Sequence, residues 1–243
     1  MIVLIITAVR VKSMDSHRIS GRILAENIAG PGMLRLVEQS MQSRAQKTSV
    51  TEIAVKERKY PQAALTFDDG PDIRYTPLLL DGLKERNVRA SFFLLGEKVE
   101  QYPELVERMQ KEGHLVGNHT YHHVQLNKLN ETKAREEILK TNNLIYETTG
   151  VYPLYLRPPF GAWKKNLELC VEMLPVFWTI DTLDWKVQNT EKIVRTVQEQ
   201  IEDGAIILMH DEYDTSVEAA LQVADDLKAQ GYQLVTVDQL ILP

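Results

Sequence analysis

A single cysteine, Cys170, rules out any disulfide within the 243-residue chain. Its setting, "LELCVEML", is apolar and predicts a packed core thiol rather than a reactive one. No apolar run approaches the roughly 20 residues that a membrane-spanning helix needs. The stretch at residues 1–9, "MIVLIITAV", soon meets Arg10 and Lys12. No basic segment precedes it and no small-residue cleavage site follows, so it makes a poor signal peptide. It reads either as the remnant of a longer anchor or as a core strand. Basic excess is lacking too: 28 Lys and Arg face 34 Asp and Glu, a net charge of -6. That excludes a general nucleic-acid binder, which carries a basic face. It leaves a neutral or cationic polysaccharide open as a partner. Repeats and low-complexity tracts are absent.

What is present is ordinary for a globular protein: 44% hydrophobic and 26% charged residues. The length suits one barrel-sized domain plus a small extension. Residues 1–60 differ from the rest. They read as helical pieces broken at Gly30-Pro31-Gly32, then an extended stretch "TSVTEIAVKERKYP". We read them as an N-terminal extension, and 61–243 as the domain proper.

From residue 62 onward, seven short apolar runs alternate with amphipathic segments. The runs are "AALTF", "ASFFLLG", "HLVGN", "LYLRP", "VFWTI", "AIILMH" and "QLVTV". Between them Leu105, Val106 and Met109 share a helical face, as do Ile193, Val194, Val197 and Ile201. Val217, Ala220, Leu221, Ala224 and Leu227 make a third. This alternation predicts an α/β fold with a parallel sheet closed as a barrel. In such barrels the chemistry gathers at the C-terminal strand ends. The residues there are Asp68-Asp69, Asn118-His119, Arg157, Asp181 to Asp184, and His210-Asp211.

These residue types suit a metal-assisted hydrolase. In "NHTYHH", His119 and His123 stand at i, i+4, which places both imidazoles on one face if the turn is helical. Two histidines and one carboxylate form a common three-ligand set that keeps positions open for water and substrate. Asp68 and Asp69 are the candidate carboxylates. One binds the metal; the other then serves as general base. His210 is placed to give a proton to a leaving group, oriented by Asp184 or Asp181. Arg157 faces a carboxylate, with Pro158-Pro159 stiffening the backbone beside it. Trp185 reads as a site wall and Trp178 as core. His122, His114 and His17 read as non-ligands.

Five stretches together resemble the motif set of the family 4 carbohydrate esterases, the NodB-like polysaccharide deacetylases. They are Thr66-Phe67-Asp68-Asp69-Gly70, His119-Thr120-Tyr121-His122-His123, Arg157-Pro158-Pro159-Phe160-Gly161, Asp181-Thr182-Leu183-Asp184-Trp185 and Leu208-Met209-His210. All occur in the family's order, and the resemblance covers about 61–243. It implies a distorted (β/α) barrel of the NodB-homology type and a metal-dependent deacetylase. By motif position Asp68 is the catalytic base and Arg157 its partner. Asp69, His119 and His123 bind a divalent metal, zinc before cobalt or manganese. His210 is the catalytic acid, tuned by Asp184. The backbone N–H near Phe160 helps hold the oxyanion, and Trp185 and Leu208 wall the acetyl pocket. Relatives often carry Tyr where Phe160 stands, a change that a backbone donor tolerates.

The expected reaction is removal of N-acetyl groups from N-acetylglucosamine in a polysaccharide such as peptidoglycan or chitin. Two rivals remain: an O-acetyl esterase on acetylated xylan, and a glycan-binding protein without chemistry. A polysaccharide substrate of this kind implies a bacterial protein working extracellularly or at the cell envelope. Membrane contact is expected only through an anchor at 1–9.

Overall fold

The computed structural model describes residues 59–163 and 173–241. Residues 1–58, with the expected anchor remnant, the helical pieces around Gly30-Pro31-Gly32 and His17, lie outside them. So does Cys170.

The described chain runs β1 (Gln62–Asp68), α1 (Tyr75–Glu85), β2 (Ser91–Leu94), α2 (Gly96–Gln101), α3 (Pro103–Lys111) and β3 (Leu115–Asn118). A 3₁₀ turn at Leu126–Lys128 leads to α4 (Glu131–Thr149) and β4 (Tyr155–Leu156). Then come β5 (Leu174–Pro175), β6 (Ile180–Asp181), α5 (Asp184–Val187), α6 (Thr190–Gln200), β7 (Ala205–His210), α7 (Asp214–Ala229), β8 (Gln233–Leu234) and α8 (Val237–Ile241). Every strand pairing is parallel. The order across the sheet is β5-β4-β3-β2-β1-β7-β6, with β8 also on β1. No pairing closes β5 onto β6 among the described residues, so the barrel is a distorted, open one.

β1 is the central strand. It pairs with β7 along Ala63 to Asp68, with β2 at Thr66 to Asp68, and with β8 at Gln62 and Ala63. With neighbours on both edges it is buried on both faces, which is why "AALTF" is a continuous apolar run rather than an alternating one. Alternation still decides direction. Ala63, Leu65 and Phe67 point outward and join Phe92, Leu94, Ile207 and Met209 in the main core beneath the helices. Ala64 points inward to a second cluster with Phe93, Tyr155, Val176 and Val237, which fills the barrel. Asp68, two residues on from Thr66 and four from Ala64, shares the inward face. The register sets it beside His210 of β7 and Phe93 of β2.

The helices follow their sequence signals. Pro103 opens α3, where its missing N–H costs nothing, and Leu105, Val106 and Met109 are buried. Asn130 caps α4 through Lys133 N at 2.9 Å, and Gly150 ends it in the left-handed region at φ 72°. Ile193, Val194 and Val197 are buried in α6; Ile201 has left the helix as its C-cap. In α7, Val217, Ala220, Ala224 and Leu227 are buried, whereas Leu221 is only partly so.

One expectation needs correction. "VFWTI" is mostly not a strand. It is the loop between β5 and β6, and only Ile180 belongs to a ladder. Its backbone serves another purpose: Val176 and Phe177 present carbonyls to Arg157 at 3.4 Å. The short β5 brings the described strands to eight.

His114 just ahead of β3 is buried, as expected of a structural histidine. Its Nδ1 accepts from Ala90 N at 3.1 Å, and its ring meets Phe92 edge-on at 5.3 Å. Burial, opposed by Glu112, pushes its pKa down to about 4. The unfolded chain takes up this proton near pH 6.5 and the fold does not, so stability rises with pH across that window. Lowering the pH from 7 to 4 should therefore remove up to about 3 kcal/mol through this group. Urea unfolding of wild type and His114→Asn at several pH values tests this. The variant should show the shallower pH slope.

Candidate active site

The described strand ends converge on a pocket of about 490 Å³, lined by the two aspartates, His119, His123 and His210 and walled by Phe160, Trp178, Trp185 and Leu208. Asp68, at the end of β1, is buried. Asp69 follows in the left-handed region at φ 70°, a conformation that aspartate tolerates better than most residues, and a cis Gly70–Pro71 bond comes next. The left-handed backbone at Asp69 lets two adjacent side chains reach the same pocket while facing different partners.

Asp68 is held by Arg157, which follows β4. The guanidinium is fully buried and donates from Nη1 to Asp68 Oδ1 at 2.8 Å and to Thr66 Oγ1 at 2.7 Å. Its plane lies over the Phe93 ring at 4.2 Å. Thr66 in turn donates to Ile207 O at 2.6 Å, which ties the pair to β7. Burial disfavours the Arg157 charge and Asp68 supports it. Breaking such a pair from one side leaves a buried charge, at a cost of roughly 3–5 kcal/mol.

Asp69 faces imidazoles. His119 Nε2 stands 3.3 Å and His123 Nε2 3.4 Å from Oδ1. Burial raises the Asp69 pKa, but His119, His123 and His210 outweigh it and hold the carboxyl well below the usual carboxylate range. Asp69 Oδ1 is nevertheless buried without a hydrogen-bond donor aligned on it. His119 Nδ1 lies 2.7 Å from the Arg157 carbonyl, an acceptor only, so Nδ1–H donates there and, in the neutral ring, Nε2 keeps its lone pair toward Asp69. A lone pair facing a carboxylate oxygen requires a cation or a proton between them. The three donor atoms lie within 4.8 Å of one another and offer two nitrogens and an oxygen, a set that fits a divalent metal.

The turn carrying His119 and His123 is not helical, so the condition attached to their i, i+4 spacing is not met. Thr120 at φ 68° and His123 at φ 53° fold it back, and the rings end 5.1 Å apart. Asn118, just before the turn, and Glu137 of α4 impose that shape. Asn118 accepts from Thr120 N at 2.6 Å and donates to Ile138 O and Asn142 on α4. Glu137, also on α4, accepts from Tyr121 N at 3.0 Å, His122 N at 2.9 Å and the His122 ring at 2.8 Å. His122 thus points away from the ligand pair, as expected. Glu137 and Asn142 had no signal in the sequence.

His210 ends β7, with Nε2 3.8 Å from Asp69 Oδ2. Of the two expected partners, Asp184 is the one in contact: it accepts from His210 Nδ1 and from His210 N, both at 2.8 Å, and from Ser216 Oγ at 2.7 Å. Asp181 instead accepts from Leu183 N at 3.0 Å. Burial works to lower the His210 pKa, but the bond to Asp184 and the fields of Asp184, Asp68 and Asp69 push it up to about 9. A cation beside Asp69 opposes that rise. Trp185 is half exposed on the pocket wall. Trp178, expected in the core, lines the pocket as well, because the loop before β6 turns it toward Gly161.

A parallel open barrel thus carries at one rim a carboxylate–arginine pair, a carboxylate facing two imidazoles, and a histidine–carboxylate pair. The model of the family described as "Polysaccharide deacetylase" matches residues 56–176. The chain is 42% identical over 185 residues to the peptidoglycan-N-acetylglucosamine deacetylase PgdA of Listeria monocytogenes, covering 76% of this chain and 40% of that one. It is 40% identical to a peptidoglycan-N-acetylglucosamine deacetylase of Bacillus cereus, covering 74% of this chain and 68% of that protein. It is 44% identical to the peptidoglycan-N-acetylmuramic acid deacetylase PdaC of Bacillus subtilis, over 73% of this chain and 38% of PdaC. The solved structure of PdaC superposes with a TM-score of 0.73, over 75% of this chain and 91% of the solved one. The chain belongs to the polysaccharide deacetylase family. It spans about 40% of the length of the first of these relatives.

The hold of Glu137 on the histidine turn has a direct test. Glu137→Ala strands the N–H groups of Tyr121 and His122 and should cost about 2 kcal/mol in urea unfolding. Glu137→Gln keeps an accepting oxygen and should lose less than half of that.

Proposed function

We propose that this chain removes N-acetyl groups from N-acetylglucosamine residues of peptidoglycan, with a divalent ion held by Asp69, His119 and His123. The observation that carries the reading is Asp69 Oδ1, buried, without an aligned donor and facing two imidazoles, beside two independently partnered acid–base groups. Zinc suits the nitrogen-rich set, and cobalt or manganese can replace it. When bound, the ion supplies Lewis acidity, polarising the acetyl carbonyl and making water a stronger acid.

The chain's own residues supply the rest. Asp68 accepts a proton from the attacking water, and Arg157 fixes the oxygen that does not. A backbone N–H near Phe160 donates to the oxygen that becomes negative as the carbonyl carbon turns tetrahedral. His210 gives its proton to the amine nitrogen as the C–N bond breaks, and Asp184 holds the ring with Nε2 toward the pocket. Acetate and a free amine are the products. Separate partners keep base and acid in opposite protonation states at one pH. Leu208 and Trp185 wall the space for the methyl group.

The charge of the pocket supports an uncharged sugar at the reacting position. Asp181 lines it with no ion pair among the described residues, whereas Glu212 there is paired with Lys98 and Asp68 with Arg157. An N-acetylmuramic acid residue would bring its lactyl carboxylate toward Asp181. Such a substrate places the protein at the bacterial cell envelope or outside it. Among the described residues no helix is long and apolar enough to cross a membrane, and residues 1–60 are read as an extension to the domain at 61–243.

Acetate release should occur from peptidoglycan with zinc supplied and disappear on chelation. Mass analysis of the muropeptides should place the loss on N-acetylglucosamine. Full activity in chelator would sink the metal reading, and release from acetylated xylan alone would make the protein an O-acetyl esterase. Asp68→Asn should lower turnover about 10²–10⁴-fold with zinc still bound. Loss of zinc in that variant would exchange the roles of Asp68 and Asp69.

A further inference from the structure

One buried acid takes no part in that chemistry. Asp211, directly after His210, is fully buried, and its Oδ1 has no hydrogen-bond partner. Its Oδ2 accepts from Thr76 Oγ1. Thr76 Oγ1 accepts from Asp72 N at 2.7 Å, and Thr76 N donates to Asp72 O at 3.1 Å. Asp211 is therefore tied through one hydroxyl to the far end of the Asp69–Asp72 turn.

Asp211 also presses on the middle of that turn. A Cβ built on Gly70 would sit 2.5 Å from Asp211 Oδ1 and 2.9 Å from its Cγ. Gly70 lacks a positive φ, so the space taken by Asp211 is what a larger residue would meet there. On the other side, Gly70 O accepts from Leu95 N at 3.2 Å. The residue before Gly70 is Asp69, held at φ 70°. A left-handed non-glycine residue persists only where its surroundings over-determine it. Asp211 against Gly70, Leu95 N on the Gly70 carbonyl and Thr76 on Asp72 provide that constraint.

We propose that Asp211 is a positioning residue for the cation site: it holds the Asp69–Asp72 turn by shape and through Thr76, and so aims the Asp69 carboxylate at His119 and His123. The inference rests on the cation site proposed above. Burial pushes the Asp211 carboxyl up to about 7, against Thr76 and Lys98. A neutral side chain of the same shape is thus a fair substitute.

The test measures zinc affinity by chelator competition, the visible absorption of the cobalt-loaded protein, and the melting temperature in chelator. Asp211→Ala should weaken zinc binding about 10-fold or more, the range seen when groups that orient metal ligands are removed. It should also change the cobalt spectrum. Asp211→Asn should stay within about threefold of wild type, well short of that range. Gly70→Ala should weaken zinc binding alone but add little to Asp211→Ala, because the two changes act on one contact. Should Asp211→Ala fail to fold, Thr76→Val reports the same link: it strands Asp211 Oδ2 and Asp72 N, so it should melt below wild type, and the folded chain should bind zinc more weakly and show the altered cobalt spectrum. Unchanged affinity in Asp211→Ala or Thr76→Val overturns the proposal, as does Asp211→Asn matching Asp211→Ala. A wild-type chain that binds no divalent ion would overturn the cation site itself, and this inference with it.

Discussion

Two neighbouring carboxylates at the end of the most enclosed strand govern how the site is built. Asp68 and Asp69 cannot both stay ionised in a buried pocket unless each has its own positive partner. The fold meets this by sending them apart. Asp68 continues the inward alternation of β1 and meets Arg157 at 2.8 Å. Asp69 leaves the strand at φ 70° and meets two imidazoles. The reversal in backbone between residues 68 and 69 therefore separates the proposed base from the proposed ligand.

Support for this arrangement runs outward in layers. Arg157 is buried among aromatic rings; its Nη1 is directed at Asp68 and Thr66, while Nε and Nη2 meet the Val176 and Phe177 carbonyls. The histidine turn is shaped by Asn118 from the strand before it and by Glu137 from α4. His210 is fixed at ring and backbone by one carboxylate, itself held by Ser216 of α7. Each reactive group thus answers to a different helix or loop, while the parallel register keeps all of them at one rim.

Much of this is legible in the order of residues along the chain. The alternation of runs and amphipathic segments marks a parallel α/β fold, because a strand buried on both faces must be apolar throughout. The five ordered motifs hold most of the residues that line the pocket. Less legible are features that depend on contacts distant in sequence. "VFWTI" has the composition of a strand, yet most of it is a loop that feeds carbonyls to Arg157 and turns Trp178 to the pocket. The histidine pair has helical spacing, yet the turn is left-handed at Thr120 and His123. In both cases tertiary hydrogen bonds outweigh local pattern.

The amino-acid order alone specifies the chemistry available to this protein: which side chains can bind a cation, accept a proton or donate one, and at which strand ends they lie. It can do so because the period of a strand and the order of motifs are local properties of the chain. Folding in three dimensions settles which aspartate faces the arginine and which the imidazoles, and that Asp184 rather than Asp181 holds His210. It also brings Glu137, Ser216 and Asp211 to bear on the site. Those choices turn on distances of about an ångström between residues far apart in the chain, 135 positions for Thr76 and Asp211, and no local pattern carries such information.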